Sequence, residues 1–134
     1  MNEYIEIKVI LPPSMKGRGA FAKKNIKKET LVEVGHVLLI SNEDYDKLAD
    51  TVFWNYIFEW DDPKYNGDYT AAIPLSVGQF INHSYNPNLR YEYDYENITI
   101  EYYTEKYIVK GKELTVNYNG IVGDKSPVWF DVED

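Results

Sequence analysis

The sequence predicts a mainly β fold, and three observations carry that expectation. Of its 134 residues 16% are aromatic, 13 of them tyrosine, and tyrosine together with β-branched residues favours strands. The apolar runs are short, tend to alternate with polar residues and recur at close spacing, which is strand rather than helix periodicity. One stretch, Ser41–Asp50, reads as a helix: Ser41 can cap it, acids fill its first turn, and Tyr45 and Leu48 share a face.

Taken in order, Glu3–Ile10 (EYIEIKVI) predicts a first strand, ended by Pro12 and Pro13. Met15–Ala20 reads as a turn with two glycines, and Phe21–Ala22 restart a strand. Thr30–Ile40 is strand-like with a break expected at Gly35. Beyond the helix, the apolar-aromatic run Val52–Trp60 predicts a strand, Asp61–Asp68 a loop, Tyr69–Ile73 a strand and Leu75–Ile81 a short helical turn. Asn82–Asn88 (NHSYNPN) is too rich in turn formers for regular structure. Arg90–Tyr95 and Ile98–Tyr103 predict a hairpin across Glu96–Asn97. Tyr107–Val109 and Glu113–Tyr118 are the last strands, and Asn119–Asp134 is a tail carrying Trp129 and Phe130.

Length and composition bound the function. The chain has room for one domain. At 44% hydrophobic and 27% charged it buries a core without staples. No apolar run approaches a membrane span, and the acids Glu3 and Glu6 argue against a secretory signal. There is no cysteine, which removes disulfides, thiol nucleophiles and cysteine zinc sites and fits a reducing compartment. Net charge is −8, divided as +5 over residues 1–28 and −13 over residues 29–134. The acidic body weighs against direct nucleic-acid binding and suits a basic partner.

Familiar catalytic patterns are missing. His83 adjoins Ser84, but neighbours in sequence rarely face each other as nucleophile and base, and there is no G-x-S-x-G elbow. The two histidines, His36 and His83, lack metal-ligand spacing. Gly17-Arg18-Gly19 lacks the Lys-Ser/Thr of a phosphate loop. Taken singly, Gly17–Phe21 is a hairpin turn, Phe80–Asn88 an Asn-Pro turn with a core histidine, and Gly111–Tyr118 a turn feeding a strand.

Taken together, their order and spacing resemble the SET-domain family of protein-lysine methyltransferases. That family has a G-x-G hairpin near its start, then N-H-S-x-x-P-N (here Asn82–Asn88), then G-x-E-L-T-x-x-Y (here Gly111–Tyr118) some thirty residues on. The resemblance spans about residues 4–120, leaving 121–134 as a closing segment of one domain. It implies small curved β-sheets around a knot-like core with little helix. It also implies that Asn82–Asn88 and Glu113–Tyr118 meet in space.

The function that follows from the resemblance is transfer of a methyl group from S-adenosylmethionine to the side-chain amine of a lysine in a protein or peptide. The cofactor would lie against Arg18, Gly19 and Ala20 and against Asn82 and His83, with the lysine entering from the opposite face. Tyr118 matches the catalytic tyrosine. Tyr91 stands near the position that limits methyl number, and Tyr56, Phe58 and Trp60 are candidates to line the lysine channel. The resemblance is compatible with a homodimer and with a cytoplasmic protein, nuclear or chromatin-associated in a eukaryote.

Three departures from the family pattern stand out. Tyr85 and a cysteine-free tail replace the zinc-binding cysteines that close the channel in many members, which points to Trp129 as the cover of the adenine. Gln79 stands where the family often has Arg, and Glu29 where it tends to have Gly. Two rival readings remain: a catalytically silent module of the same fold that holds a peptide, and an aromatic carbohydrate- or nucleic-acid-binding β domain. The motif order speaks against the second.

Overall fold

The computed structural model describes residues 2–10, 17–119, 125–126 and 128. In chain order the strands are β1 (Ile5–Val9), β2 (Arg18–Ala22), β3 (Leu31–Ser41), β4 (Phe58–Glu59), β5 (Tyr69–Pro74), β6 (Asn82–His83), β7 (Leu89–Asp94), β8 (Thr99–Thr104) and β9 (Glu113–Val116). Helix α1 (Asn42–Leu48) follows β3, and short 3-10 turns cover Val52–Tyr56, Pro63–Tyr65 and Val77–Phe80. One sheet has the order β1-β2-β9-β6, the other β4-β5-β3-β8-β7. The mainly β expectation holds, with α1 where Ser41 predicts it: the Ser41 hydroxyl accepts the Asp44 N–H.

The apolar faces of the two sheets meet in one core. Ile5, Ala20, Ala22, Leu114 and Val116 come from the first sheet, and Val32, Ala72, Leu89, Ile100 and Tyr102 from the second. Ile26 and Ile108, joined by an isolated bridge, fill one end. Burying side chains of this kind contributes roughly 1.5–3 kcal/mol each, which is what holds sheets this small in place.

Five local expectations are corrected. The strand expected to restart at Phe21 begins at Arg18, because Arg18–Ala20 pair with Ile7–Val9. β3 runs through Gly35 without a break. Glycine is needed there because Ser76 packs against its backbone: a Cβ would lie 2.6 Å from the Ser76 Oγ. Just past it the strand changes neighbour, Leu31–His36 pairing with β8 and Val37–Ser41 with β5.

The run Val52–Trp60 is a 3-10 turn followed by a two-residue strand. Its apolar residues do not alternate between inside and outside; Val52 and Phe53 are exposed, while Trp54 leans on Tyr45 of α1 at 4.9 Å between ring centroids. Finally, Tyr107–Val109 contributes only the Ile108 bridge, whereas Asn82–His83, expected to be irregular, forms β6 and pairs in parallel with β9.

Candidate active site

Parallel pairing of β6 with β9 sets Asn82 beside Thr115 and His83 beside Val116, so the two motifs meet. The pairing spans only two residues, and side chains complete it. Buried Asn88 imitates a neighbouring strand: its Oδ1 accepts the Thr115 N–H and its Nδ2 donates to the Glu113 carbonyl, both at 2.9 Å. The Ser84 N–H donates to the Val116 carbonyl at 2.9 Å.

Tyr118 is fixed at both ends. Its backbone N–H donates to His83 Nδ1 at 2.9 Å, and its hydroxyl donates to the Ile81 carbonyl at 2.9 Å. The His83 and Tyr118 rings lie 5.2 Å apart. Burial pushes the Tyr118 phenol up to about 12, with Tyr91, Tyr56 and Glu113 adding to the shift. It is therefore a neutral hydroxyl at ordinary pH, with its proton directed at the Ile81 carbonyl.

That residue forms part of the wall of a cavity of about 510 Å³, together with Ile57, Phe58, Ile81, Tyr91 and Tyr93. Burial, with a contribution from Glu59, raises Tyr91 to about 12, and burial drives Tyr93 still higher. Gly78 also lines the cavity, where a Cβ would lie 2.5 Å from the buried ring of Tyr102. The Phe58 and Tyr91 rings pack edge to face with their centroids 5.2 Å apart. Exposed Glu59 and Asn55 are its polar, solvent-facing members. An aromatic chamber with a carboxylate at its open side suits an alkyl-ammonium chain.

Gln79 takes a structural part: its Nε2 donates to the carbonyls of Pro74 (2.8 Å) and Tyr56 (3.2 Å). Tyr56 thus touches the site through its backbone and is not among the residues that line the cavity. Phe58 does line it, and Trp60 lines a neighbouring one. The resemblance implies that this segment faces the substrate, but the 3-10 turn over Val52–Tyr56 replaces the strand expected there, and of Tyr56, Phe58 and Trp60 only Phe58 lines the cavity. Ile57 and Glu59 escaped the sequence reading because nothing in the local pattern marks which side of an irregular segment faces inward; Tyr93 was within reach, since it lies two residues from Tyr91 on β7 and so on the same face.

The other expected contacts gather at Asn82. Its Nδ2 donates to the Arg18 carbonyl (2.9 Å) and to Glu113 Oε2 (2.8 Å). Its Oδ1 accepts no hydrogen bond among the described residues. Gly19 and Ala20 are buried beside it, and Ala20 pairs with Leu114. The Arg18 guanidinium stands 5.4 Å from the Phe80 ring and forms no ion pair among the described residues. An exposed guanidinium and a side-chain amide that reaches the same residue's backbone fit the carboxylate and ammonium of an amino-acid group such as that of S-adenosylmethionine.

Trp129, expected over the adenine, lies outside the described residues. Part of the tail does return to this region. The Tyr85 hydroxyl donates to the Ser126 carbonyl (3.0 Å), and Lys125 Nζ donates to the Tyr85 carbonyl (3.1 Å). The Tyr85 ring meets His83 edge to face at 4.5 Å. Tyr85 thus ties the tail at a position where cysteine was absent.

Comparisons with known proteins agree with this arrangement. A family model described as SET domain matches residues 17–119. The histone-lysine N-methyltransferase, H3 lysine-37 specific, of Schizosaccharomyces pombe is 34% identical over 119 residues, covering 88% of this chain and 73% of that protein. The crystal structure of a candidate histone methyltransferase of Plasmodium falciparum aligns with a TM-score of 0.67 and 25% identity, covering 88% of this chain and 95% of that one. With both motifs joined through β6 and β9 and the family model spanning them, this chain belongs to the SET-domain family of protein-lysine methyltransferases.

Proposed function

We propose that this methyltransferase binds S-adenosylmethionine at Arg18, Gly19, Ala20, Asn82 and His83 and modifies a lysine in a basic, histone-like protein segment held in the aromatic cavity. The observation that carries the reading is the Tyr118 hydroxyl, fixed on the Ile81 carbonyl at the wall of that cavity. When bound, the cofactor supplies a methyl group on a positively charged sulfur. The protein supplies the rest. Phe58, Tyr91 and Tyr93 exclude water from the lysine stem, which favours the neutral amine the transfer needs. Tyr118 accepts an amine N–H and aims the nitrogen lone pair. Holding reactants in line can lower a barrier by about 7–11 kcal/mol, so no strong base is required.

The test is transfer of labelled methyl from S-adenosylmethionine to histones and to lysine peptides. Tyr118→Phe should lower kcat by about a hundredfold, the scale of a misaligned reacting group, while cofactor binding and the melting temperature stay near parental. Equal turnover by the variant would remove Tyr118 from the mechanism; absence of any cofactor binding by the parent would remove the site. The kinship with a histone-lysine methyltransferase supports chromatin as the place of action. The acidic body, −13 over residues 29–134, supports a basic substrate.

A further inference from the structure

We propose that a second cavity, sharing β4 as a wall with the first, receives an arginine or lysine side chain of the substrate polypeptide a few residues from the methylated lysine. The inference rests on the reading above for the first cavity and names what selects its substrate. The second cavity, about 510 Å³, is lined by Tyr45, Trp54, Phe58, Trp60, Glu59 and Asp61 among others, and shares Ile57, Phe58 and Glu59 with the first. Trp54 is 39% exposed, although large aromatic faces are usually covered. It leans on Tyr45 with their rings tilted by 53°.

Chemistry narrows the occupant. Glu59 and Asp61 are exposed on either side of buried Trp60, and neither meets a cation among the described residues. Their segment, residues 42–68, holds eight acids against two lysines, a net of −6. An uncharged apolar ligand would leave the carboxylates unused, and a phosphate would be repelled by them. A bare inorganic cation would gain little from the rings. A long basic side chain uses both: its stem packs on Trp54 and Tyr45, and its head sits between ring face and carboxylate. Guanidinium suits the place best, since it stacks and forks at once. β4 bounds both cavities, so the second lies within a few residues of an extended chain whose lysine occupies the first, at about 3.3 Å per residue.

The experiment measures binding of fluorescein-labelled lysine peptides by anisotropy, with a single arginine scanned through the positions flanking the lysine and alanine as the reference. An arginine at one favoured position should tighten binding about tenfold, near 1.4 kcal/mol. Asp61→Asn, at an exposed site, and Trp54→Ala should each cut that gain to about threefold or less, whereas Trp54→Phe, which keeps a ring, retains most of it. Equal binding of all peptides by the parent, or an undiminished gain in Asp61→Asn, overturns the proposal. Tyr118→Phe separates the two readings: it should slow transfer by about a hundredfold and leave the arginine gain intact. A parent that shows the gain without methylating any peptide keeps this inference and overturns the role given to the first cavity.

Discussion

Glu29 holds a left-handed backbone, φ +63°, where the family tends to carry glycine. That conformation costs a non-glycine residue roughly 1–2 kcal/mol. Its carboxylate is one of three around Arg90, with Glu92 and Glu105, at 2.8–3.2 Å. The Arg90 guanidinium also packs on the Tyr103 ring, and its charge is strongly favoured by the Glu29 and Glu92 hydrogen bonds. An exposed pair contributes at most about 1 kcal/mol, so the ion pair offsets the strain only in part. Glu29→Gly should therefore be more stable than Glu29→Ala by about 1 kcal/mol in a urea melt, since both lose the carboxylate and only glycine relieves the backbone. Equal midpoints would show that the backbone there is unstrained. Tyr91 invites a second measurement: Tyr91→Phe removes a hydroxyl from the cavity wall, and the product spectrum by mass spectrometry should move toward more methyl groups per lysine.

At the scale of elements, Asn88 helps to join the two motifs, because its buried side chain takes the place of a neighbouring strand's backbone. Asn88→Ala leaves the Thr115 N–H and the Glu113 carbonyl without their partner, at about 1–3 kcal/mol for each buried group. A loss of about 2–6 kcal/mol, read as a lower urea midpoint with an unchanged slope, is the expected outcome. The same comparison shows what local pattern can and cannot convey. The hairpin of β7 and β8 was legible within a residue, because alternation and a polar turn are local signals. The 3-10 turn at Val52–Tyr56 was not, because its aromatic content imitates a strand while its exposure is decided by α1. β6 was illegible too: a two-residue parallel strand has no period, and its partner lies some thirty residues away. The motif residues Asn82, His83 and Tyr118 could be named from sequence, but their joining by the Tyr118 N–H and His83 Nδ1 could not.

For the whole molecule, buried tyrosines set an alkaline limit. Burial holds Tyr91 and Tyr118 near 12 and raises Tyr93 and Tyr102 further, against an ordinary value near 10. Above pH ~10 the unfolded chain releases protons that the folded chain retains. Stability is thus fully present below that point and falls as pH rises toward 12. Circular dichroism should be lost in one cooperative step in that window, together with the last part of the tyrosinate absorbance rise; free titration of all tyrosines in a folded protein would contradict the burial. Tyr85 has a consequence of another kind. It anchors Lys125 and Ser126 by hydrogen bonds in a chain that has no thiol to offer. These two hydrogen bonds contain no metal–thiolate link for a chelator or an oxidant to break. An enzyme tied this way should keep working through metal starvation, and turnover in excess EDTA should equal turnover without it.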